Sequence, residues 1–188
     1  MIIQSIRSEI QRTACSIQPF DDIEAEHVAF VQKWIESGVE IFRTAKPATP
    51  DTHLVSYLVL IDQTQNKVLL TDHKKSGLWM PAGGHVDPNE HPTETAKREL
   101  FEELGIEADF LSTNPVFLTV TKTVGQTAGH TDVSFWYILK GNAAEFLKYD
   151  EREFHQIKWF SPEETPYPQT DPHLNRFMQK LISLKILC

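Results

Sequence analysis

Cysteine is scarce in this sequence. The 188 residues include only two, Cys15 and Cys188. Neither belongs to a CxxC pair or to a close Cys/His cluster, which are the spacings typical of structural zinc sites. Two isolated cysteines also provide no disulfide framework. The sequence therefore favours neither a zinc-stabilised nor a disulfide-stabilised domain.

Positive charge is in short supply too. Eighteen lysines and arginines stand against 26 aspartates and glutamates, so the formal net charge is −8. A general nucleic-acid or anionic-membrane binder needs a basic face, so we expect neither partner. Small phosphorylated ligands are still compatible with this balance, because a bound divalent cation supplies positive charge locally.

Long apolar runs are missing as well. In the first residues, MIIQSIRSEIQRT, apolar side chains are spaced among polar ones, unlike the continuous apolar core of a signal peptide. No segment approaches the ~18 consecutive apolar residues of a membrane span. We therefore expect a cytoplasmic protein with no membrane partner.

Apolar residues are nevertheless plentiful, at 40% of the chain, and 188 residues suffice for one domain plus an appendage. Helical spacing of these residues predicts helices over 2–18 and 22–37, which would form an N-terminal helical hairpin. An extended linker over 46–51, rich in proline, follows. We divide the chain into a helical extension, 1–46, and a main domain, 47–188. The hairpin is interpreted as a packing element, with a substrate lid or a dimerisation element as alternatives.

From residue 52 onwards the pattern predicts strands. Residues 53–61 are apolar on both faces, which is typical of a central strand covered on both sides. Further strands are predicted at 68–71, 109–111, 116–123, 132–140 and 156–160. A helix over 92–104 interrupts them, and an apolar stripe starting near Leu174 predicts a helix at the end. This order of elements indicates an α+β fold with a mixed sheet between helices.

Three glutamates stand close together in the predicted internal helix. Glu99, Glu102 and Glu103 lie at offsets 0, 3 and 4, so their side chains project from one side of the helix. Like charges held this close repel each other unless a cation lies between them. Magnesium suits such a cluster because it prefers oxygen ligands and binds substrate phosphates as well. Taken alone, such a cluster is more often a solvated acidic face than a metal site.

The residues around the cluster carry a family resemblance. Residues 84–106, GHVDPNEHPTETAKRELFEELGI, match the nine specified positions of the motif G-x5-E-x7-R-E-U-x-E-E-x-G-U, in which U is an aliphatic residue. This is the motif of the Nudix hydrolases, and the sequence resembles that family. The resemblance implies an α/β/α sandwich with a mixed sheet. It extends as a pattern of strands over about 52–160, and the first fifty residues lie outside it.

The resemblance also implies a metal site. Glu99, Glu102 and Glu103 would be ligands of Mg²⁺, with Mn²⁺ as an alternative, and would serve catalysis. One of them, or a carboxylate outside the motif, would help to deprotonate the attacking water. The backbone carbonyl near Gly84 would be a further ligand.

Two other charged residues receive roles from the resemblance. Arg98 would orient a glutamate or pair with Glu90, and an exposed pair with Glu94 is the alternative. Many family members use another acidic residue shortly before an aromatic in a late strand. Glu153, six residues before Trp159, is our catalytic candidate. Asp150 and Glu151 are its alternatives, as is a solvated charge run.

Substrate contacts are predicted near the glycines. Lys74, with Lys75 beside it, is expected to meet phosphate, His85 to contact a phosphate, and Trp79 to stack on a base. The alternatives are exposed turn lysines, a surface histidine and a core aromatic residue. The remaining histidines are scattered and show no HxxxH pair on a predicted helix. Of these, His130 begins a predicted strand and is expected to line the pocket.

The reaction follows from what these groups would do. Hydrolysis of a diphosphate brings water to a phosphorus surrounded by negative oxygens, and metal ions neutralise them. The resemblance implies a metal-dependent hydrolase acting on a nucleoside diphosphate linked to X, or on a related phosphorylated metabolite. A catalytically silent nucleotide-binding module is the alternative, although such modules usually lose motif glutamates. The expected partner is a small-molecule substrate. The motif identifies neither that molecule nor the oligomeric state, for which a homodimer is one possibility.

Overall fold

A mixed sheet forms the centre of the fold. The computed structural model describes residues 2–188, apart from the side chains of residues 2–5 and 127, and its strands form one seven-stranded sheet over these residues. The strands are β1 Thr52–Asp62, β2 Lys67–His73, β3 Leu78–Met80, β4 Ala82–His85, β5 Phe117–Lys122, β6 Thr131–Lys140 and β7 Phe154–Phe160. The helices are α1 Ile2–Ser16, α2 Asp22–Glu36, α3 Pro92–Leu104 and α4 Leu174–Ser183.

The strand order places β1 in the middle of the sheet. The order is β3-β2-β1-β6-β5, with β4 paired to β1 and β7 paired to β2. The β1–β6 pair is parallel and its register sets His53 opposite Asp132, whereas the other pairs are antiparallel. Because a parallel pair aligns the beginnings of both strands, residues far apart in sequence meet at one end of the sheet.

Side chains of β1 alternate between two apolar clusters, as expected for a strand covered on both sides. Those on one face pack with α3 and the N-terminal helices: Leu54, Leu58 and Leu60. Those on the other face pack with α4: Val55, Tyr57, Val59 and Ile61. The predicted α/β/α sandwich with a mixed sheet is therefore confirmed.

The two N-terminal helices form the predicted hairpin and pack against the sheet. Ile10 and Ala14 of α1, and Val31 and Ile35 of α2, are at most 1% exposed. They belong to the same apolar cluster as Leu100 of α3. These contacts favour the interpretation as a packing element, and a domain boundary at residues 46 and 47 stays a prediction.

A buried ion pair joins the hairpin to the last helix across the edge of the sheet. The two carboxylate oxygens of Glu24, on α2, lie 2.8 and 2.9 Å from the ammonium of Lys180, on α4. One of these oxygens also accepts a hydrogen bond from the backbone N–H of Leu118 in β5, at 3.3 Å. Since β5 ends the strand order, α2 covers an edge that would otherwise present unpaired backbone groups.

Two local differences from the predicted elements have physical reasons. Residues 109–111 form no strand, and Phe110 makes a single bridge to Leu139 instead. The short strands β3 and β4 were not predicted, because three or four residues, two of them glycines in β4, are too few to show an apolar alternation. Within residues 2–188, no helix has the length and apolarity needed to cross a membrane.

Candidate active site

Helix α3 carries the three motif glutamates, and local signals set its ends. The His91 side chain accepts a hydrogen bond from the N–H of Thr93, and Pro92 occupies the first turn. Gly105 closes the helix with a left-handed φ of 68°. The helix therefore spans the predicted 92–104. Its apolar face is buried against the sheet, so the glutamates are held on a rigid element.

Strand β4 brings two glycines beneath these glutamates. A Cβ atom at Gly83 would lie 2.1 Å from the backbone oxygen of Ser56, and the φ of Gly83 is 145°. A Cβ atom at Gly84 would lie 2.2 Å from a carboxylate oxygen of Glu99. A side chain at either position would overlap existing atoms. The Glu99 carboxylate and the Gly84 backbone thus lie side by side, as a shared metal ligation requires.

Glu103 is the most deeply buried of the three motif glutamates, at 9% exposure. One of its carboxylate oxygens accepts a hydrogen bond from the N–H of Gly83, at 2.9 Å. Burial, and then the nearby Glu99 carboxylate, raise the pKa of Glu103 to about 9. Burial also raises the pKa of Glu99. Two desolvated carboxyl groups beside the Gly83–Gly84 backbone fit a divalent cation, which would relieve their repulsion.

Arg98 joins two acidic residues rather than one. Its guanidinium donates two hydrogen bonds to Glu90, at 3.1 and 2.9 Å, and one to Glu99, at 2.7 Å. The alternative partner, Glu94, pairs with Lys97 at 2.8 Å. Arg98 therefore holds Glu90 in the bidentate geometry typical of guanidinium–carboxylate pairs, and its third hydrogen bond is placed to orient Glu99.

Glu102 differs from the other two motif glutamates. Its side chain is 58% exposed, and its nearest cation is the Arg98 guanidinium, at 3.7 Å. It lines the cleft but does not converge on the Gly84 backbone as Glu99 does. Among the described residues, the three motif glutamates do not form a group whose ligand atoms all lie within 4.8 Å of one another, and their role as metal ligands stays a prediction.

The downstream carboxylates lie at the rim of the same cleft. Glu153 pairs with Lys75 at 3.1 Å and lies 3.8 Å from His73. Asp150 pairs instead with Arg152, at 2.6 Å. Glu151 is exposed, and its backbone carbonyl accepts a hydrogen bond from the Lys74 ammonium. Of the three carboxylates, Glu153 and Asp150 line the cleft.

The cleft has a volume of about 1420 Å³ and is large enough for a nucleotide. His85 and Lys75 line it. Lys74 and Trp79 are not among its lining residues, and the Trp79 ring packs edge-on against Phe160 at 5.0 Å between centroids. The position of Trp79 agrees with a core aromatic residue, and the predicted substrate roles stay predictions.

A second cluster in the cleft was not predicted as a group. It comprises His53, His85, His130 and Asp132, with potential ligand atoms within 4.8 Å of one another. From the sequence, only His130 was expected to line the pocket. The four residues stand in three separate strands or strand ends, and only the pairing of those strands brings them together. A single sequence contains no local signal for that pairing.

Comparison with known proteins gives a consistent result. The family model described as NUDIX domain matches residues 52–181. The chain is 30% identical over 134 residues to the CTP pyrophosphohydrolase of Escherichia coli (strain K12), covering 66% of this chain and 92% of that protein. It is 42% identical over 57 residues to the m7GpppN-mRNA hydrolase NUDT17 of Xenopus laevis, covering 28% of this chain. That match spans only 19% of the Xenopus protein.

A solved structure has the same fold. The dihydroneopterin triphosphate pyrophosphohydrolase of E. coli superposes with a TM-score of 0.58, covering 77% of this chain and 99% of that one. At 13% sequence identity, this likeness concerns the architecture alone. The sheet and its flanking helices therefore have the same architecture as that solved structure.

Proposed function

The chain belongs to the Nudix family, and we propose that it is a metal-dependent hydrolase of a diphosphate linkage. The substrate would be a nucleoside diphosphate linked to X, or a related phosphorylated metabolite. One observation carries the proposal: the carboxyl groups of Glu99 and Glu103 meet the Gly83–Gly84 backbone at the floor of a large cleft.

Mg²⁺, with Mn²⁺ as an alternative, is the cofactor we propose. Glu99, Glu103 and the backbone carbonyl of Gly84 would hold it, with Glu102 completing the site from the open side of the cleft. When bound, such an ion neutralises phosphate oxygens and lowers the pKa of water. All of these donors are oxygen atoms, which is the ligand type that Mg²⁺ prefers.

The surrounding residues have positioning roles in this proposal. Arg98 fixes the Glu99 carboxylate through its 2.7 Å hydrogen bond, and Glu90 in turn fixes Arg98. Glu153 stands at the rim with Lys75, where a carboxylate would accept a proton from water and an ammonium would meet a phosphate oxygen. Lys75 is better placed for this contact than Lys74, since it lines the cleft.

The substrate class rests on the relatives. The E. coli protein that aligns along most of its length is a CTP pyrophosphohydrolase, which supports a nucleotide substrate here. The net charge of −8 supports a small phosphorylated molecule rather than a nucleic-acid chain.

A panel of diphosphates assayed with Mg²⁺ tests the proposal. We expect wild-type protein to hydrolyse at least one member, and Glu103→Gln to lose about 10²–10⁴-fold in rate, because a buried carboxyl group at the reaction centre is removed. Glu94→Gln is the matched control, since Glu94 is an exposed glutamate of the same helix that pairs with Lys97. If wild-type protein binds one nucleotide of the panel tightly but cleaves none, the proposed hydrolysis is contradicted and a catalytically silent binding module is favoured.

A further inference from the structure

The histidine cluster lies where three strands meet at one end of the sheet. His53 in β1 stands opposite Asp132 in β6, and His130 immediately precedes β6. His85 is the last residue of β4 and pairs with Val55 of β1. The pairing of rigid strands, rather than flexible side chains, therefore determines how these residues approach one another.

A hydrogen bond from Nδ1 sets the tautomer of the His53 ring. Its Nδ1 atom lies 2.7 Å from the backbone oxygen of Pro50, and a carbonyl oxygen can only accept, so Nδ1 carries the proton. In the neutral ring, Nε2 then presents a lone pair, 3.5 Å from Oδ1 of Asp132. His53 is fully buried. Within the described part of the chain, neither Nε2 of His53 nor Oδ1 of Asp132 has a hydrogen-bond partner.

Two buried acceptors that face each other are costly unless a positive group lies between them. A buried histidine that donates its other N–H to a backbone carbonyl is also the usual arrangement of a metal ligand, because that bond fixes the tautomer. The hydrogen bond from His53 to Pro50 therefore already holds the His53 ring in the tautomer that a metal ligand needs.

The distances agree with a metal site. Nε2 of His130 lies 3.3 Å from Oδ1 of Asp132, and its Nδ1 lies 3.2 Å from the hydroxyl of Thr123. A tetrahedral ion bound at about 2.1 Å separates its ligand atoms by about 3.4 Å. The two separations from Oδ1 of Asp132, 3.5 Å to His53 and 3.3 Å to His130, are close to this value.

The chemistry of the donors selects a cation and its class. An anion is disfavoured, since the Asp132 carboxylate would repel it. A single proton does not suffice, because a separation of 3.5 Å between His53 and Asp132 is too long for a good hydrogen bond. Imidazole nitrogens suit Zn²⁺ and similar transition metals, whereas Mg²⁺ prefers oxygen ligands. The guanidinium of Arg43, 3.3 Å from Nε2 of His85, opposes an added charge, so His85 is the weakest ligand of the set.

We propose that His53, His130 and Asp132 bind a divalent transition metal of the Zn²⁺ class, with His85 as a fourth ligand once its ring leaves Arg43. This site is separate from the carboxylate site of helix α3. It does not depend on the proposed hydrolysis, because its three principal ligands, two imidazoles and the Asp132 carboxylate, lie on or beside β1 and β6 and not on helix α3. The cleft would then hold two metals with different ligand preferences.

Cobalt binding tests this site without an activity assay. Full-length protein is stripped with a chelator and titrated with Co²⁺, which absorbs strongly in the visible range when tetrahedral, and Zn²⁺ is then added as competitor. We expect one tetrahedral Co²⁺ per wild-type chain, displaced by Zn²⁺, and a rise in melting temperature with Zn²⁺. Asp132→Asn should lose both responses, and Glu103→Gln is the matched control that should keep both.

The melting temperature of metal-free Asp132→Asn shows whether this variant still folds. Asparagine is nearly the size of aspartate, and its amide can donate to Nε2 of His53, so metal-free Asp132→Asn should melt no lower than metal-free wild type. If it does melt lower, His130→Gln replaces it as the test of the cobalt signal. A wild-type protein with no tetrahedral cobalt signal would overturn the proposal. So would a signal that survives both variants or disappears in Glu103→Gln, because the metal would then lie elsewhere.

Discussion

Glu103 and Gly83, 20 residues apart, are joined by a 2.9 Å hydrogen bond from the backbone N–H to the buried carboxyl group. This bond ties helix α3 to strand β4. It lowers the pKa of Glu103, yet burial dominates and holds that pKa near 9. Without a metal, therefore, the neutral carboxylic acid is the favoured form at neutral pH.

The stability of the metal-free protein should reflect this shift. A carboxyl group whose pKa is raised from 4.5 to about 9 on folding contributes stability that is complete below pH 4.5 and is lost as pH rises towards 9. Glu103→Gln has no such titration. The free energy of unfolding is measured in urea with a chelator present. Between pH 4.5 and about 9, that of wild type should fall relative to that of Glu103→Gln.

A matched exposed variant separates this effect from general changes of charge. Glu94→Gln removes a glutamate from the exposed side of the same helix, so its difference from wild type should vary little with pH. A Glu103→Gln difference that stays flat across the same range would show that Glu103 titrates normally.

The two glycines of β4 should respond differently to alanine. In Gly83→Ala the new Cβ would lie 2.1 Å from a backbone oxygen, at a φ of 145°, so the protein should lose on the order of 3 kcal/mol in stability. In Gly84→Ala the nearest atoms to the Cβ would belong to the Glu99 side chain, which can shift if its hydrogen bond with Arg98 gives way. That variant should keep its fold and lose Mg²⁺-dependent hydrolysis.

Urea unfolding and a hydrolysis assay of both alanine variants distinguish the two outcomes. Equal loss of stability in the two proteins would mean that the Glu99 carboxylate cannot move aside. Full activity in Gly84→Ala would argue against a metal ligand at that backbone position.

The buried pair of Glu24 and Lys180 should dominate the attachment of the N-terminal hairpin. Lys180→Met leaves the Glu24 carboxylate buried without its cation, which should cost about 3–5 kcal/mol. Changing Glu24→Leu in the same protein should recover part of this loss. Recovery should be incomplete, since the N–H groups of Phe20 and Leu118 lose their acceptor.

A double-mutant cycle in urea measures the interaction between the two residues. Lys97→Met provides the comparison, because its exposed pair with Glu94 should contribute at most about 1 kcal/mol. If Lys180→Met costs no more than Lys97→Met, the hairpin is not held by this ion pair.

Glu153 should matter for turnover and not for stability. Glu153→Gln keeps the size of the side chain while removing the proton acceptor, so kcat should fall by about 10²-fold or more with an unchanged melting temperature. Glu151→Gln, two residues away and exposed, should hydrolyse at the wild-type rate. An unchanged kcat in Glu153→Gln would remove this residue from the active site.

Elements with local signals were predicted well. The bounds of α3 follow from Pro92 and Gly105, and the double covering of β1 follows from apolar residues on both faces. Residues 109–111 were predicted as a strand but form only one bridge, from Phe110 to Leu139, because strand pairing depends on a partner as well as on the segment's own sequence. The strands β3 and β4 were missed because three or four residues are too few to show an alternating pattern.

The sequence by itself determined the family, the reaction class and the glutamates on α3, because these depend on residue types at fixed spacing along one helix. Only the tertiary structure decided which of those carboxyl groups is buried, since desolvation arises from packing against β4. It also decided that Lys75 and not Lys74 faces Glu153. Finally, it assembled His53, His130 and Asp132, whose approach depends on the parallel pairing of β1 with β6 across almost eighty residues of chain.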